Sequence, residues 1–296
     1  MTRPLHRQNS SIHRLQCLRC REQVVAKVSR DDGLLRDASA QTRREYETLC
    51  LLQRVFPQDE RYGTLVPLGC LESTGRAIMI TRHFPSNDLA RHVRLLDAHA
   101  MQEACHAAGL WLRKLHDSSD TVAQKQVLNV ADKLHYLAST YGGVLCGDRK
   151  TWATYRCLEQ VGSRMGTQVL GFVRQHGDFK PQNMLCDGTR YIGLDIHWQS
   201  IDSPIYDIAP FLNHLWLGGS MLATSRAWHR HELAENGFLT GYGNVADMQA
   251  LRWAQLYFAL CHLGAYRQRG RLAARYMDWK LRPFALKLAT RLEEAS

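Results

Sequence analysis

The chain lacks the features of membrane and secreted proteins. No stretch is apolar for the roughly 18 residues that a membrane-spanning helix needs, and the most apolar one, Leu256–Leu263, is interrupted by Cys261-His262. The first eleven residues are polar and basic, without the apolar core of a secretory signal. Nine cysteines, an odd number, are scattered along the sequence, which favours reduced thiols. We therefore expect a cytoplasmic protein with no membrane span.

Two further absences limit the possible partners. Cys17 and Cys20 form a lone CxxC pair without a second pair, so we do not expect a structural zinc site. The net charge is +10, yet no run of five basic residues occurs, which makes nucleic acid an unlikely partner and is compatible with phosphorylated ligands. With 296 residues, 45% hydrophobic and 22% charged, the composition is that of a globular protein of one large or two modest domains.

The segment His176–Asn183 concentrates polar side chains that can bind or move a phosphate. It reads His-Gly-Asp-Phe-Lys-Pro-Gln-Asn. Pro181 has no amide hydrogen and stiffens the connection, so the segment is predicted to be a loop and not a helix interior. The loop presents a carboxylate at Asp178 and, five residues later, an amide at Asn183.

A hairpin is predicted to follow this loop. Strand patterns at Met184–Cys186 and Tyr191–Leu194 flank the turn signal Asp187-Gly188. Such a hairpin returns Asp195 to the side of Asn183, so that two oxygen ligands face one point. Hard oxygen ligands in small number suit Mg²⁺ that is carried by substrate phosphates.

These residues resemble the catalytic core of the protein-kinase-like phosphotransferases, and the helix ending Leu115-His116 is similar to one in aminoglycoside and choline kinases. The resemblance implies an α+β fold with a small β-rich N-terminal lobe and a larger, mostly helical C-terminal lobe. It implies ATP-dependent phosphorylation of a hydroxyl, with Asp178 as the base and with Asn183 and Asp195 holding Mg²⁺ on the phosphates. His176 is expected to hold the loop in place.

Lys27 is a cation near the end of the apolar strand pattern at residues 22–28. Taken alone, a strand-edge lysine that reaches water is the commoner case. A helix pattern over residues 39–56 follows, however, and carries Glu45. By resemblance, Lys27 grips the α- and β-phosphates of the nucleotide and pairs with Glu45, with Glu47 as the alternative partner.

The boundary between the two lobes is predicted where the strand pattern of residues 76–81 breaks. By resemblance, Thr81, Arg82 and His83 form the hinge, and their backbone groups contact adenine. The N-terminal lobe then comprises residues 1–82 and the C-terminal lobe residues 83–296.

The sequence departs from the family pattern in its phosphate loop and after the metal-binding aspartate. No glycine precedes Gly33, so the glycine-rich phosphate loop is absent and Gln8-Asn9-Ser10-Ser11 stands in its place. Amides and hydroxyls of such a segment can also face a phosphate. His197 occupies the position, two residues after Asp195, where a glycine is usual.

Lys180 resembles the lysine of Ser/Thr protein kinases that stabilises charge on the transferred phosphoryl group. Only eleven residues separate Asp195 from Asp207, however, which is too few for a peptide-docking activation segment. A small-molecule acceptor therefore ranks above a protein acceptor. Asp207 is expected to cap the helix that begins there and to brace the catalytic loop.

The acceptor pocket is expected among helices predicted within residues 122–165 and 225–269. These segments carry Lys and Arg at least as often as Asp and Glu, which disfavours a polycationic acceptor and favours a neutral or anionic sugar. We predict an ATP- and Mg²⁺-dependent phosphotransferase that acts on a hydroxyl of a sugar, amino alcohol or aminoglycoside-like compound. Two alternatives are a protein or lipopolysaccharide-type kinase, which the basic charge favours, and a nucleotide-binding pseudokinase, which the missing glycine-rich loop favours.

Overall fold

A computed structural model of the chain describes residues 5–6, 10–29, 38–57, 61–73, 76–118, 125–165, 169–219, 224–243, 245 and 247–294. The strands are β1 (Leu5–His6), β2 (Ser10–Gln16), β3 (Gln23–Ser29), β4 (Tyr62–Thr64), β5 (Pro67–Ser73), β6 (Arg76–Arg82), β7 (Asn87–Asp88), β8 (Lys125–Val127), β9 (Val169–Gly171), β10 (Val173–Arg174), β11 (Met184–Cys186), β12 (Tyr191–Gly193) and β13 (Ile201–Asp202). The helices are α1 (Ala38–Leu52), α2 (Leu89–Leu95), α3 (Ala98–Asp117), α4 (Val130–Leu145), α5 (Arg149–Met165), α6 (Ile205–Gly218), α7 (Ser225–Tyr242), α8 (Met248–Gln268) and α9 (Arg271–Glu294).

The chain divides into two compact units. The first comprises Met1–His92, His176–Asp178 and Gln182–Gln199, and the second comprises Val93–Gln175, Phe179–Pro181 and Ser200–Ser296. The predicted lobe boundary lies after residue 82, whereas the first unit extends ten residues further. The reason is that β7 pairs with β11, which ties residues 87–88 to the hairpin after the catalytic loop.

The main sheet of the first unit has the strand order β1-β2-β3-β6-β5, and its neighbouring strands are antiparallel. In β6, Ala77, Met79 and Thr81 are buried and alternate with more exposed residues, as expected for a strand with one covered face. Helix α1 packs on this sheet and buries Leu49 and Leu52.

Helix α1 ends four residues before the predicted end at Phe56. The residue before a proline is disfavoured in the helical conformation, and Pro57 follows Phe56. In addition, the side chain of Gln53, the first residue after the helix, donates from Nε2 to Thr64 Oγ1 at 2.9 Å. Phe56 is nevertheless buried, so the turn after the helix still contributes to the core.

The second sheet of the first unit has the order β4-β12-β11-β7 and contains the predicted hairpin. Met184 pairs with Gly193 and Cys186 with Tyr191, so this prediction is confirmed. Asp187 closes the turn, because its carboxylate accepts bonds from the backbone N–H groups of Thr189 and Arg190.

The second unit is built from helices around an aromatic core. The ring of Phe179 stacks between Trp111 and Phe211, with centroid distances of 5.7 and 4.8 Å. Helix α7 approaches α3 closely at Gly241, where a Cβ atom would lie 2.0 Å from the carbonyl oxygen of His106. No helix in the described part of the chain is both long and apolar enough to cross a membrane.

Two predictions in the second unit were wrong. A helix was predicted from residue 122 to 141, but β8 pairs with β9, and α4 begins only at Val130 after Asn129, whose side chain accepts from the N–H of Asp132. Residues 119–124 lie outside the described residues. Asp207 does not cap α6: the helix begins after Pro204 without a side-chain cap bond, and Asp207 lies buried in its first turn.

Candidate active site

Three charged side chains meet in the first unit. Lys27 on β3 donates from Nζ to Oε2 of Glu45 on α1 at 2.6 Å and to Oδ1 of Asp195 at 2.8 Å. The three side chains are only 19%, 11% and 23% exposed. Burial alone lowers the pKa of Lys27, but the charges of Glu45 and Asp195 outweigh it, so the pKa lies above the ordinary value. Lys27 is therefore a fixed cation, and its helix partner is Glu45, not Glu47.

The amide of Asn183 is oriented by the catalytic loop itself. Its Nδ2 donates to the carbonyl oxygen of Asp178 at 2.9 Å and to Asp178 Oδ2 at 2.8 Å. Both bonds use the amide nitrogen, and no donor to Oδ1 of Asn183 is found among the described residues. The side-chain oxygen of Asn183 is therefore the atom that this arrangement leaves for a ligand.

The hairpin and a backbone turn set the position of Asp195. The N–H of Leu194 donates to the carbonyl oxygen of Asn183 at 2.8 Å, which brings the two metal-binding candidates to the same end of the hairpin. Asp195 itself has φ of 50°, in the left-handed region that few residues other than glycine adopt. Such backbone conformations concentrate at functional sites.

A backbone hydrogen bond joins the start of the catalytic loop to the segment after Asp195. The N–H of His197 donates to the carbonyl oxygen of His176 at 2.8 Å. Gly177 has φ of 86°, and a Cβ atom there would lie 3.1 Å from Cβ of His197. His176 is fully buried, and its Nδ1 lies 3.4 Å from the N–H of Asp178, in agreement with a supporting role.

The donor set of Asn183 and Asp195 fits a magnesium ion. Carboxylate and amide oxygens are hard ligands, and Mg²⁺ is usually held by one or two such groups together with waters and substrate phosphates. Lys27 balances part of the negative charge of this donor set through its bond to Asp195.

Lys180 belongs to the second unit together with Phe179 and Pro181. It is half-buried, and the buried ring of Phe179 beside it anchors this part of the loop in the aromatic core. Its predicted contact with the transferred phosphoryl group stays a prediction.

The three predicted hinge residues lie at the end of β6, where two of their backbone donors are already used. The N–H of Arg82 donates to the carbonyl oxygen of Val66, and that of His83 donates to Gln23. Thr81 is buried and pairs with β3 and β5. A contact of Arg82 or His83 with adenine would therefore fall on their carbonyl oxygens.

Only part of the segment that replaces the glycine-rich loop can be placed. Ser10 and Ser11 are buried strand residues of β2, and Ser10 pairs with Ser29, so they do not form a loop. Gln8 and Asn9 lie outside the described residues.

One hydrogen-bond chain in the second unit was not predicted. His116 lies between Tyr242 and Asp207: its Nδ1 is 3.0 Å from the hydroxyl of Tyr242 and its Nε2 is 3.0 Å from Asp207 Oδ2. All three residues are buried. The Leu-His helix ending marked His116, but partners 91 and 126 residues away along the chain leave no local signal.

Comparison with solved structures identifies the class of fold. No family model and no curated protein matches the chain. Many solved structures do match, and they include kinases and phosphotransferases named for small molecules. The chain thus has the two-lobed, protein-kinase-like fold of small-molecule kinases, and the fold prediction is confirmed.

Three similar structures illustrate the match. A thermostable mutant of the aminoglycoside phosphotransferase APH(4)-Ia, complexed with ADP and hygromycin B, has a TM-score of 0.63 at 13% identity, covering 97% of this chain and 93% of that one. The amicoumacin kinase hAmiN, with AMP-PNP, Ca²⁺ and Ami, gives 0.59 at 11%, covering 99% and 88%. A choline/ethanolamine kinase family protein from Mesorhizobium loti gives 0.57 at 15%, covering 99% and 86%.

Proposed function

We propose that the chain is a kinase that transfers the γ-phosphate of ATP to a hydroxyl of a small molecule with the help of Mg²⁺. The observation that carries the proposal is the ion cluster of Lys27, Glu45 and Asp195, in which a buried lysine and the aspartate after the hairpin are held together. A purely structural role does not require an aspartate at positive φ beside a hydrogen-bonded Asp178–Asn183 pair.

Each residue has a distinct role in this proposal. Lys27 binds the α- and β-phosphates, and Glu45 keeps the ammonium in place. Asn183 and Asp195 would hold Mg²⁺, which supplies neutralisation of phosphate charge when it is bound. Asp178 orients the acceptor hydroxyl and takes its proton, while Lys180 stabilises charge on the transferred group. Such reactions depend on positioning and electrostatics more than on covalent chemistry.

Two observations support a small acceptor over a protein. Of the eleven residues between Asp195 and Asp207, Ile201 and the adjacent Asp202 form β13 and pair with β10, which leaves little chain for a peptide platform. The similar structures described above are also named for small compounds: an aminoglycoside phosphotransferase, an amicoumacin kinase and a choline/ethanolamine kinase family protein. The location we propose is the cytoplasm, where ATP is available.

The charge of the helices favours a neutral or anionic acceptor. In α5 the basic residues outnumber the single acidic residue Glu159. The arginines of α8 do not add to this excess, because Arg252 pairs with Glu235 and Arg267 pairs with carboxylates of other elements. The basic excess of α5 would repel a polycation at short range. We therefore place sugars and similar polyols ahead of aminoglycosides as acceptors.

The test compares wild type with Asp178→Asn, which keeps the size of the side chain but removes the base. Labelled ATP is supplied with a panel of sugars, amino alcohols and aminoglycosides and with a casein-type protein mixture. Transfer to a small molecule should fall by a factor of roughly 10²–10⁴, the range for a positioned acid–base group. Binding of Mg-ATP should persist, because Lys27, Asn183 and Asp195 are unchanged.

Asp97→Asn is a matched control, because Asp97 caps α3 and asparagine caps helices equally well. It should leave transfer unchanged. Labelling of protein that depends on Asp178, with no transfer to any small molecule, would favour the protein-kinase alternative. Stabilisation by Mg-ATP without transfer to any acceptor would favour the pseudokinase alternative.

A further inference from the structure

A cavity of about 150 Å³ lies within the second unit, and none of the residues assigned to phosphate transfer lines it. An engineered protein cavity of that volume is known to bind benzene. Much of the wall is apolar, formed by Leu170, Phe172, Val173, Pro204, Ile205 and Val245. The polar part is contributed by Arg113, His116, Asp117, Ser203, Tyr242 and Asp247.

The polar groups of this cavity differ in whether they already have partners. Asp247 accepts from the N–H of Ala250 as the cap of α8, and Asp117 accepts from Nε of Arg113 at 2.7 Å. The guanidinium of Arg113 lies 5.8 Å from the ring centre of Tyr242. None of the described residues offers a hydrogen-bond acceptor to the two terminal nitrogens of Arg113. We therefore expect a ligand of this site to carry an acceptor that binds Arg113 and an apolar group that packs against the wall.

We propose that this cavity is a second ligand site, for a small organic carboxylate with an aromatic or branched apolar body. The terminal NH₂ groups of a guanidinium match the two oxygens of a carboxylate, and such charge-assisted bonds are stronger than neutral ones. The volume admits one ring and excludes a nucleotide.

The position of the cavity links it to the catalytic loop through the chain itself. Val173 in its wall belongs to β10, which pairs with β13, and the N–H of Gln175 donates to the carbonyl oxygen of Ser200 at 2.9 Å. The segment that carries Asp178 and Asp195 leaves from β10 and returns into β13. A ligand that packs on Val173 is thus expected to stabilise the two-strand ribbon that holds both ends of this segment.

The test uses sodium benzoate as the probe, with benzyl alcohol and benzylamine as neutral and cationic analogues. Binding to the full chain is followed by ligand-observed NMR, and hydrogen exchange is measured at residues 173–175. Benzoate should bind and slow exchange there. Arg113→Met should weaken benzoate binding by about tenfold or more. Arg113→Lys keeps the positive charge but loses the paired NH₂ donors, so its affinity for benzoate should lie between those of wild type and Arg113→Met.

Gly171 offers a variant that blocks the cavity without a clash. It lines the cavity, and a Cβ atom on it would meet no atom within 4 Å, so Gly171→Leu adds bulk at low strain and should abolish benzoate binding. Gly69→Leu is the control, because Gly69 is also a strand glycine with open space but lies outside the cavity.

Three results would overturn the proposal. They are equal benzoate binding in all variants, binding of benzylamine in preference to benzoate, and no binding of benzoate to wild type at millimolar concentration. None of these results bears on the proposed kinase activity, because the variants leave Lys27, Asp178, Asn183 and Asp195 unchanged.

Discussion

The ion cluster around Lys27 gives the sharpest prediction. Lys27→Met removes the cation that bridges Glu45 and Asp195, so two carboxylates then face each other in a partly buried site. Glu45→Gln is milder, because Lys27 keeps its bond to Asp195 at 2.8 Å. In the double variant only one carboxylate remains, so the effects should not add.

The magnitude follows from the burial of the three side chains. Exposed ion pairs contribute about 0–1 kcal/mol to stability, and breaking a buried pair costs about 3–5 kcal/mol. With 11–23% exposure, the cluster lies nearer the buried limit. We expect losses of about 3 kcal/mol for Lys27→Met, about 1 for Glu45→Gln and about 2–3 for the double variant, a coupling of about 1–2 kcal/mol.

The assay is urea unfolding of the four proteins at one pH, with the free energy of unfolding compared in a double-mutant cycle. The ion pair between Arg43 and Glu72 in the same unit provides a matched control. Its side chains are 53% and 50% exposed, so the same cycle with Arg43→Met and Glu72→Gln should give a coupling below about 1 kcal/mol. Additivity within about 0.3 kcal/mol at Lys27 and Glu45 would refute the reasoning.

Three further predictions follow. Asp195→Ala should abolish transfer without unfolding the chain, because Lys27 keeps Glu45; a variant with more than about a tenth of wild-type turnover, a change of only about 1.4 kcal/mol, would contradict this. Gly241→Ala should lower the free energy of unfolding by about 1–3 kcal/mol, because the added methyl group overpacks against α3. Gly142→Ala in α4, where an added Cβ atom meets no atom within 4 Å, should raise the free energy of unfolding by about 0.5–1 kcal/mol. Equal effects of the two variants in urea unfolding would refute the close approach of α7 to α3. Burial alone would raise the pKa of Asp187, but the hydrogen bonds from Thr189 and Arg190 outweigh burial and lower the pKa. The stability that the ionised Asp187 contributes above about pH 4 should therefore be lost as the pH falls. Asp187→Asn should lack this pH-dependent loss of stability in acid unfolding.

Local chemistry in the sequence determined the catalytic loop and its hairpin. Pro181 excludes a helix interior, Asp187-Gly188 supplies the turn, and strand patterns of period two stand on either side, so the path of this segment needs no distant partner. Lys27 was identifiable only by its position, because a helix pattern that carries Glu45 follows it as in the resembling kinases. The two-lobed fold was implied by the resemblance to protein-kinase-like phosphotransferases that these residues carry, and comparison with solved structures confirmed it.

Tertiary structure alone decided which partners these groups meet. Glu45 and Glu47 stand two residues apart on one helix, and only the packing of α1 on the sheet turned Glu45 toward Lys27. Residues 125–127 became a strand because β9 was there to pair with them. Asp207 forms a hydrogen bond with His116 and does not cap α6. Partners this far apart in the chain are brought together by folding and leave no pattern in the local sequence.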